Sequence, residues 1–280
     1  MRGDSGRAFS LDPITGFETD PKSGCLSSIS AAGVQMDVGG WGCEVGNWYG
    51  FFSQEKVGGR NVQVLDRSVL AGVATITARF EVALPRARVS LRSTETLHDG
   101  IIEREYSLEA LDASYIGDFV LRSGFESRTW FEGMIGKYRL QHRHRDRMVQ
   151  IKTKAGTLSS PDLRVVSALC DARFPQRFDL LTYLRDEPSG LWIIHHRLLT
   201  RGGDCDDYVL QMRGGYMSVN GEWLIPRIAR RLLWRFSERN RGLGPTFQVG
   251  GNVRLSRGER LVLRSVLRLE RACDSGATRA

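Results

Sequence analysis

At 280 residues, with 41% hydrophobic and 26% charged residues and six Trp, twelve Phe and seven Tyr, the chain can fill one sizeable core and is expected to fold as a single domain. No apolar run approaches the roughly 18–20 residues of a membrane-spanning helix, since the densest stretch, Leu191–Ile194, ends at His195 and His196, and no membrane partner is expected. The formal charge of +8 is carried by 35 Arg and five Lys spread along the chain; with no groove-binding helix and no aromatic RNA-binding strand motif, nucleic acid is not an expected partner either.

Residues Met1–Pro13 carry Arg2 and Arg7 but no apolar stretch of a secretory signal, so a cytoplasmic location is the expectation. The five cysteines, Cys25, Cys43, Cys170, Cys205 and Cys273, are irregularly spaced and include no C-x-x-C pair. They read as reduced structural thiols, and neither a metal nor another cofactor is implied.

In chain order, residues 1–32 are rich in Gly, Ser, Asp and Pro and read as an irregular lead-in, residues 33–272 as a β-sandwich domain, and residues 273–280 as a disordered tail. Gly39-Gly40-Trp41-Gly42 to Gly50-Phe51-Phe52 opens the domain. There Trp41, Trp48 and Tyr49, with Phe51 and Phe52, offer a platform for sugar rings, because aromatic faces present apolar area with few rotamers to freeze; packing on the end of the sandwich is the plainer alternative. Val73–Val82 alternates, with Ala74, Ile76, Ala78, Phe80 and Val82 on one face. Arg88–Leu97 and Ile101–Leu108 flank His98-Asp99-Gly100, a hairpin signal, and Glu103 and Glu105 share a face that reads as solvated.

Further strands are expected at Gly117–Phe125, Gly136–Lys154, Leu163–Leu169, Phe178–Leu184, Leu191–Leu199, Tyr208–Met212 and Met217–Leu224, the last folded about Asn220-Gly221. Arg231–Phe236 and Arg260–Glu270 complete the set, and Ile225–Arg235, with Pro226 near its start, reads as a strand or a short helix entering one. The fold class is therefore all-β, a large antiparallel sandwich with few short helices, a closed barrel being the alternative. Trp130, Trp192, Trp223 and Trp234 read as core.

The stretch Lys137–Arg147 is the most unusual. As one strand it sets Tyr138, His142, His144 and Asp146 on one face and Arg139, Arg143, Arg145 and Arg147 on the other, like-facing neighbours being about 6.5–7 Å apart. Tyr and His beside Arg are the parts for removing a proton next to a carboxylate: Arg neutralises the acid, His takes the proton and Tyr returns one to the leaving oxygen. A solvated outer strand is the plainer reading. His195 and His196 point to opposite faces of their strand, so only one of them can join any given partner. Asp204-Cys205-Asp206-Asp207 lacks the calcium-loop pattern and reads as a polar turn. There is no G-x-S-x-G elbow, no dinucleotide-binding G-x-G-x-x-G and no kinase signature.

The strand rhythm, with Thr94-Glu95-Thr96-Leu97-His98-Asp99-Gly100-Ile101-Ile102-Glu103-Arg104 leading into Tyr106 and a closing strand at Arg260–Glu270, resembles the galactose-mutarotase-like supersandwich group, which includes sugar epimerases and polysaccharide-lyase domains. The resemblance implies a carbohydrate ligand, with a His and a carboxylate sharing the acid and base work. The resulting expectation is a lyase or epimerase acting on an acidic saccharide, with Tyr138, His142, His144 and His195 as catalytic candidates. Arg143, Arg145, Trp41, Trp48 and Tyr49 would bind the substrate. The competing readings are a non-catalytic binder of an anionic polysaccharide and a small-molecule-binding sandwich or barrel.

Overall fold

The computed structural model describes residues 9–11, 13–31, 33–56, 62–70, 73–143, 146–201, 205–212, 215–219, 228–229, 232–233 and 247–272. Its strands, in chain order, begin with β1 (Phe9–Leu11), β2 (Ile14–Thr19), β3 (Leu26–Ala31), β4 (Val34–Asp37), β5 (Gly42–Asn47), β6 (Gly50–Ser53) and β7 (Val62–Leu70). The middle of the chain supplies β8 (Val73–Leu84), β9 (Ala87–His98), β10 (Ile101–Ala110), β11 (Ser114–Ile116), β12 (Asp118–Glu126), β13 (Glu132–Ile135), β14 (Tyr138–Gln141), β15 (Arg147–Ile151) and β16 (Ala155–Ser159). The remainder are β17 (Leu163–Arg173), β18 (Phe178–Asp186), β19 (Leu191–Thr200), β20 (Asp207–Met212), β21 (Gly215–Val219), β22 (Phe247–Leu255) and β23 (Arg260–Ala272).

A ten-stranded sheet runs β14-β13-β16-β17-β23-β10-β9-β8-β7, with β1 added on β23, and it faces a six-stranded sheet, β15-β18-β19-β12-β5-β6. Two smaller sheets, β11-β22-β20-β21 and β2-β3-β4, complete an all-β antiparallel sandwich. The β9–β10 hairpin forms as its sequence requires: Asp99 and Gly100 adopt φ of 43° and 76°, the paired left-handed conformations of a two-residue turn, and His98 pairs with Ile101. All five apolar positions of the alternating Val73–Val82 face are buried.

Three expectations change. The segment read as an irregular lead-in contains β1, β2 and β3, and the Gly and aromatic segment contains β5 and β6. The single strand expected over 136–154 is several pieces: β14 belongs to the ten-stranded sheet and β15 to the six-stranded one, so the chain changes sheets between them. Local alternation is the same whether or not a strand switches sheets, which is why it did not reveal the break. Ile228–Ala229 and Leu232–Leu233 are helical. Asn220-Gly221, Trp223, Trp234, the rest of Arg231–Phe236, Asp204 and the tail 273–280 lie outside the described residues. No described helix is long and apolar enough to cross a membrane. Cys25, Cys43 and Cys170 are free thiols.

Between the two large sheets the apolar core is split in two by a polar layer. Along β9 it is Ser93 and Glu95 between Leu91 and Leu97, along β10 Arg104 between Ile102 and Tyr106, along β12 Ser123 between Phe125 and Leu121. Ser167 on β17, Thr182 on β18, His196 on β19 and Ser265 on β23 continue the layer. Arg104, Glu95, Ser123, Ser167, Thr182 and His196 are tolerated because they bond one another, whereas Ser265 Oγ is buried with no hydrogen-bond partner among the described residues. Arg104 donates from Nη1 to Ser123 Oγ at 2.6 Å and from Nε to Glu95 Oε1 at 2.8 Å, and Ser167 Oγ meets His196 Nε2 at 2.9 Å.

Candidate active site

Strand register sets Arg122 of β12 opposite His195 of β19, and His195 opposite Tyr183 of β18. Since His196 points into the sandwich, alternation turns Arg122, His195 and Tyr183 to the outer face of the six-stranded sheet. Glu44, Asp118, Gln150, Arg185 and Arg197 share that face by register.

Arg122 is the centre. Its Nε–H donates to His195 Nε2 at 3.1 Å, its Nη1 forms a short ion pair with Glu44, and Glu55 Oε2 lies 3.9 Å away. A guanidinium only donates, so Nε2 of His195 is the acceptor and the neutral ring carries its proton on Nδ1. Burial, reinforced by Arg122 and Arg197, holds the His195 pKa well below the ordinary imidazole value, which keeps it neutral. Burial raises the Glu44 pKa against the pull of Arg122, so this carboxylate has an enhanced affinity for a proton. Burial also raises the Tyr183 hydroxyl, and its ring lies edge-to-face with His195 at 4.4 Å.

Beside this group Arg197 forks Asp118 through two bonds of 2.8 and 2.7 Å and reaches Gln150 Oε1 at 3.3 Å. Arg185 likewise forks Asp146, at 2.7 and 3.0 Å, and meets Glu187 at 2.9 Å. The strip is graded: Arg122 and Glu44 keep 12% and 14% of their side-chain surface, Arg197 and Glu55 keep 27% and 38%. That range suits a ligand that approaches from one side.

The glycines before β5 make the arrangement fit. Gly40, at φ +61°, donates its N–H to Glu55 Oε1 at 2.7 Å, and a Cβ there would come within 2.9 Å of Arg122 Nη2. A Cβ on Gly124 would sit 1.8 Å from the Gly39 carbonyl oxygen. Gly124→Ala must therefore push the Gly39–Gly40 backbone off β12, and we expect a stability loss of about 1–3 kcal/mol or more in denaturant unfolding. An unchanged midpoint would contradict this close approach.

Of the residues singled out from sequence, His195 alone lies at this centre. Tyr138 is exposed at the edge of the other sheet, whereas His142 lies in the crossover, its Nδ1 2.5 Å from Asp186 Oδ1 and its ring beside Trp192. Tyr138 and His142 thus sit in different surroundings, Tyr138 exposed beside the hairpin turn and His142, four residues further along, bonded to the buried Asp186. Arg143 is exposed and donates its backbone N–H to Asp186 at 3.0 Å. His144 and Arg145 lie outside the described residues.

Trp41 is a core residue, not part of a platform: it is 1% exposed and donates Nε1–H to both Glu95 oxygens, at 2.8 and 2.9 Å. Trp48 packs its ring over Gly250, and the Tyr49 hydroxyl donates to Asp207 at 2.6 Å, so both tie the small β22 sheet to the sandwich. Among the described residues no group of three or more His, Cys, Asp and Glu is placed to hold a metal ion.

Sequence reading missed Arg122, Glu44, Glu55, Tyr183, Arg185, Arg197 and Asp118. One signal was available: Arg122 follows the apolar run Phe119-Val120-Leu121, and Arg197 is in phase with His195. Their convergence depends on the β5–β12–β19–β18 pairing, which joins strands far apart in the chain.

No protein-family model matches the chain, and no curated protein matches it in sequence. Solved structures do. An aldose 1-epimerase-like protein of Escherichia coli K12 matches 94% of this chain and 100% of its own at 6% identity, with a TM-score of 0.51. The α-N-acetylgalactosaminidase NagBb of Bifidobacterium bifidum, a quadruple mutant, matches 93% of this chain and 36% of its own at 9% identity and a TM-score of 0.50. A galactose mutarotase-like protein of Lactobacillus casei ATCC 334 matches 93% and 100% at 11% identity and a TM-score of 0.48. The chain has the galactose mutarotase-like sandwich fold.

Proposed function

We propose that this protein acts on a sugar as an epimerase of the aldose type, and that the outer face of the six-stranded sheet is its active site. The observation that carries the reading is the Glu44–Arg122–His195–Tyr183 row, in which a carboxylate of raised pKa stands beside groups that hold protons. Interconverting the two anomers of an aldose needs a base for the anomeric hydroxyl proton and a donor for the ring oxygen as the bond between C1 and that oxygen breaks. Glu44 is the base. The Nδ1–H of His195 and the hydroxyl of Tyr183 are the donors to the ring oxygen, and the Arg197–Asp118 fork bonds the remaining hydroxyls.

An acidic substrate is less well served. Arg122, Arg185 and Arg197 each already face a carboxylate, Glu44, Asp146 with Glu187, and Asp118 respectively, so none of the three is left as a clamp for a uronate.

The test is the rate of anomeric interconversion of glucose and galactose, followed by polarimetry and by NMR exchange. Acceleration by the wild type, reduced about 10²-fold in Glu44→Gln, is the expected result. Saturable sugar binding with no acceleration would replace catalysis by simple binding, and an unsaturated, ultraviolet-absorbing product from uronate polymers would restore the lyase reading.

A further inference from the structure

The ten-stranded sheet ends at β14, and among the described residues no strand pairs with its outer side. β13 and β14 form a hairpin closed by Ile135 and Tyr138, with Gly136 at φ +54° in the turn. In an antiparallel pair hydrogen-bonded and open positions alternate. Ile135–Tyr138 and Gly133–Leu140 are the bonded pairs, in step with the His142 N–H donating to the Phe131 carbonyl at 3.1 Å. The backbone N–H and C=O of Arg139 and Gln141 therefore face away from β13. Beyond them, the bonds of His142 and of the Arg143 N–H to the buried Asp186 pin the end of the strand.

The surroundings are both apolar and cationic. Four of the nine exposed large hydrophobic side chains among the described residues, Phe131, Met134, Tyr138 and Met148, fall at this end of the sandwich. Lys137 and Arg143 are exposed, and neither side chain pairs with a carboxylate among the described residues; Arg139 shares Glu132 but stays 67% exposed, and Asp146 is held by Arg185. An open edge invites a second strand, and cationic side chains oppose pairing between two copies of this edge. For an acidic strand the same charges are attractive.

We propose that β14 is a docking edge for an extended acidic peptide segment of a partner protein. The segment adds as an antiparallel strand, bonds the backbone of Arg139 and Gln141, places carboxylates near Lys137, Arg139 and Arg143, and covers Tyr138. This edge belongs to the other sheet from the proposed sugar site, and the inference does not depend on that reading.

Fluorescence anisotropy of a short labelled peptide in which Glu alternates with Val and Thr tests it, with the Lys counterpart and soluble polyglutamate-free heparin as controls. Saturable binding of the Glu peptide that weakens with salt, and no binding of the Lys peptide, is expected. Gln141→Pro removes the outward N–H at an edge position where proline is tolerated, and should weaken binding at least tenfold with the far-ultraviolet circular dichroism and melting temperature unchanged. The double charge reversal Lys137→Glu with Arg143→Glu should do the same. No binding of the Glu peptide overturns the proposal. So does equal binding by wild type and Gln141→Pro, and binding of heparin alone would assign the patch to non-specific polyanion attraction instead.

Discussion

Replacing Arg104 with Ala is expected to destabilise the fold by about 3–5 kcal/mol, because it strands the carboxylate of Glu95 in the core without its cation. Arg104 and Glu95 are 1% and 2% exposed. Glu95 accepts from Arg104 Nε, from the Tyr106 hydroxyl at 2.7 Å and from Trp41 Nε1, while the guanidinium lies 4.0 Å from the Trp41 ring centroid and donates to the Arg122 carbonyl at 2.8 Å. No water can replace these partners in a layer closed above and below by apolar side chains. The double variant Glu95→Gln with Arg104→Met removes both charges yet keeps an acceptor for Trp41 and Tyr106, and should recover a substantial part of the loss. Chemical unfolding of the three proteins decides it. A loss under about 1 kcal/mol in Arg104→Ala, or no recovery in the double variant, would mean that the pair does not hold the layer together.

The second large effect is a loss of stability on mild acidification. His196, between Ser167 and Thr182, is held neutral by burial, its pKa pushed down to about 3, and His195 is lowered in the same direction. The unfolded chain binds these protons near pH 6.5 whereas the folded chain does not, so stability is full above that pH and falls as the pH drops below it, levelling off for His196 only near about 3. From pH 7 to pH 5 His196 should cost about 2 kcal/mol, and His195 adds a loss in the same direction. Glu44 and Asp118, both raised by burial, act with the opposite sign. His196→Gln keeps polar partners for Ser167 and Thr182 and should remove the His196 share of the slope, about 2 kcal/mol between pH 7 and pH 5. Identical pH dependence in the variant and the wild type would show that His196 takes up its proton without unfolding.

The Arg104 effect and the His196 share of the acid effect arise from the polar layer, and the layer shows where the sequence was readable. The alternation Glu95, Leu97, then Ile102, Arg104, Tyr106 was visible on either side of Asp99-Gly100, and the hairpin and its register form as that pattern implies. Nothing in the pattern marked the inward phase as carrying a buried ion pair, since Glu95 and Arg104 acquire their meaning only from Trp41 and Ser123 on other strands. Glu103 and Glu105, in the opposite phase, face outward, and Glu105 pairs with Arg264.

The amino-acid sequence by itself determined that this is an all-β antiparallel sandwich, where most of its strands run, and that His195 and His196 part company. Those properties follow from a period of two and from turn chemistry, both local. The tertiary structure alone decided that the chain changes sheets between β14 and β15, and that Glu44, Arg122, Tyr183 and His195 meet on one face. Such meetings depend on which distant strands pair, and pairing is selected by burying two sheets against each other rather than by any property of the strand that carries the residue.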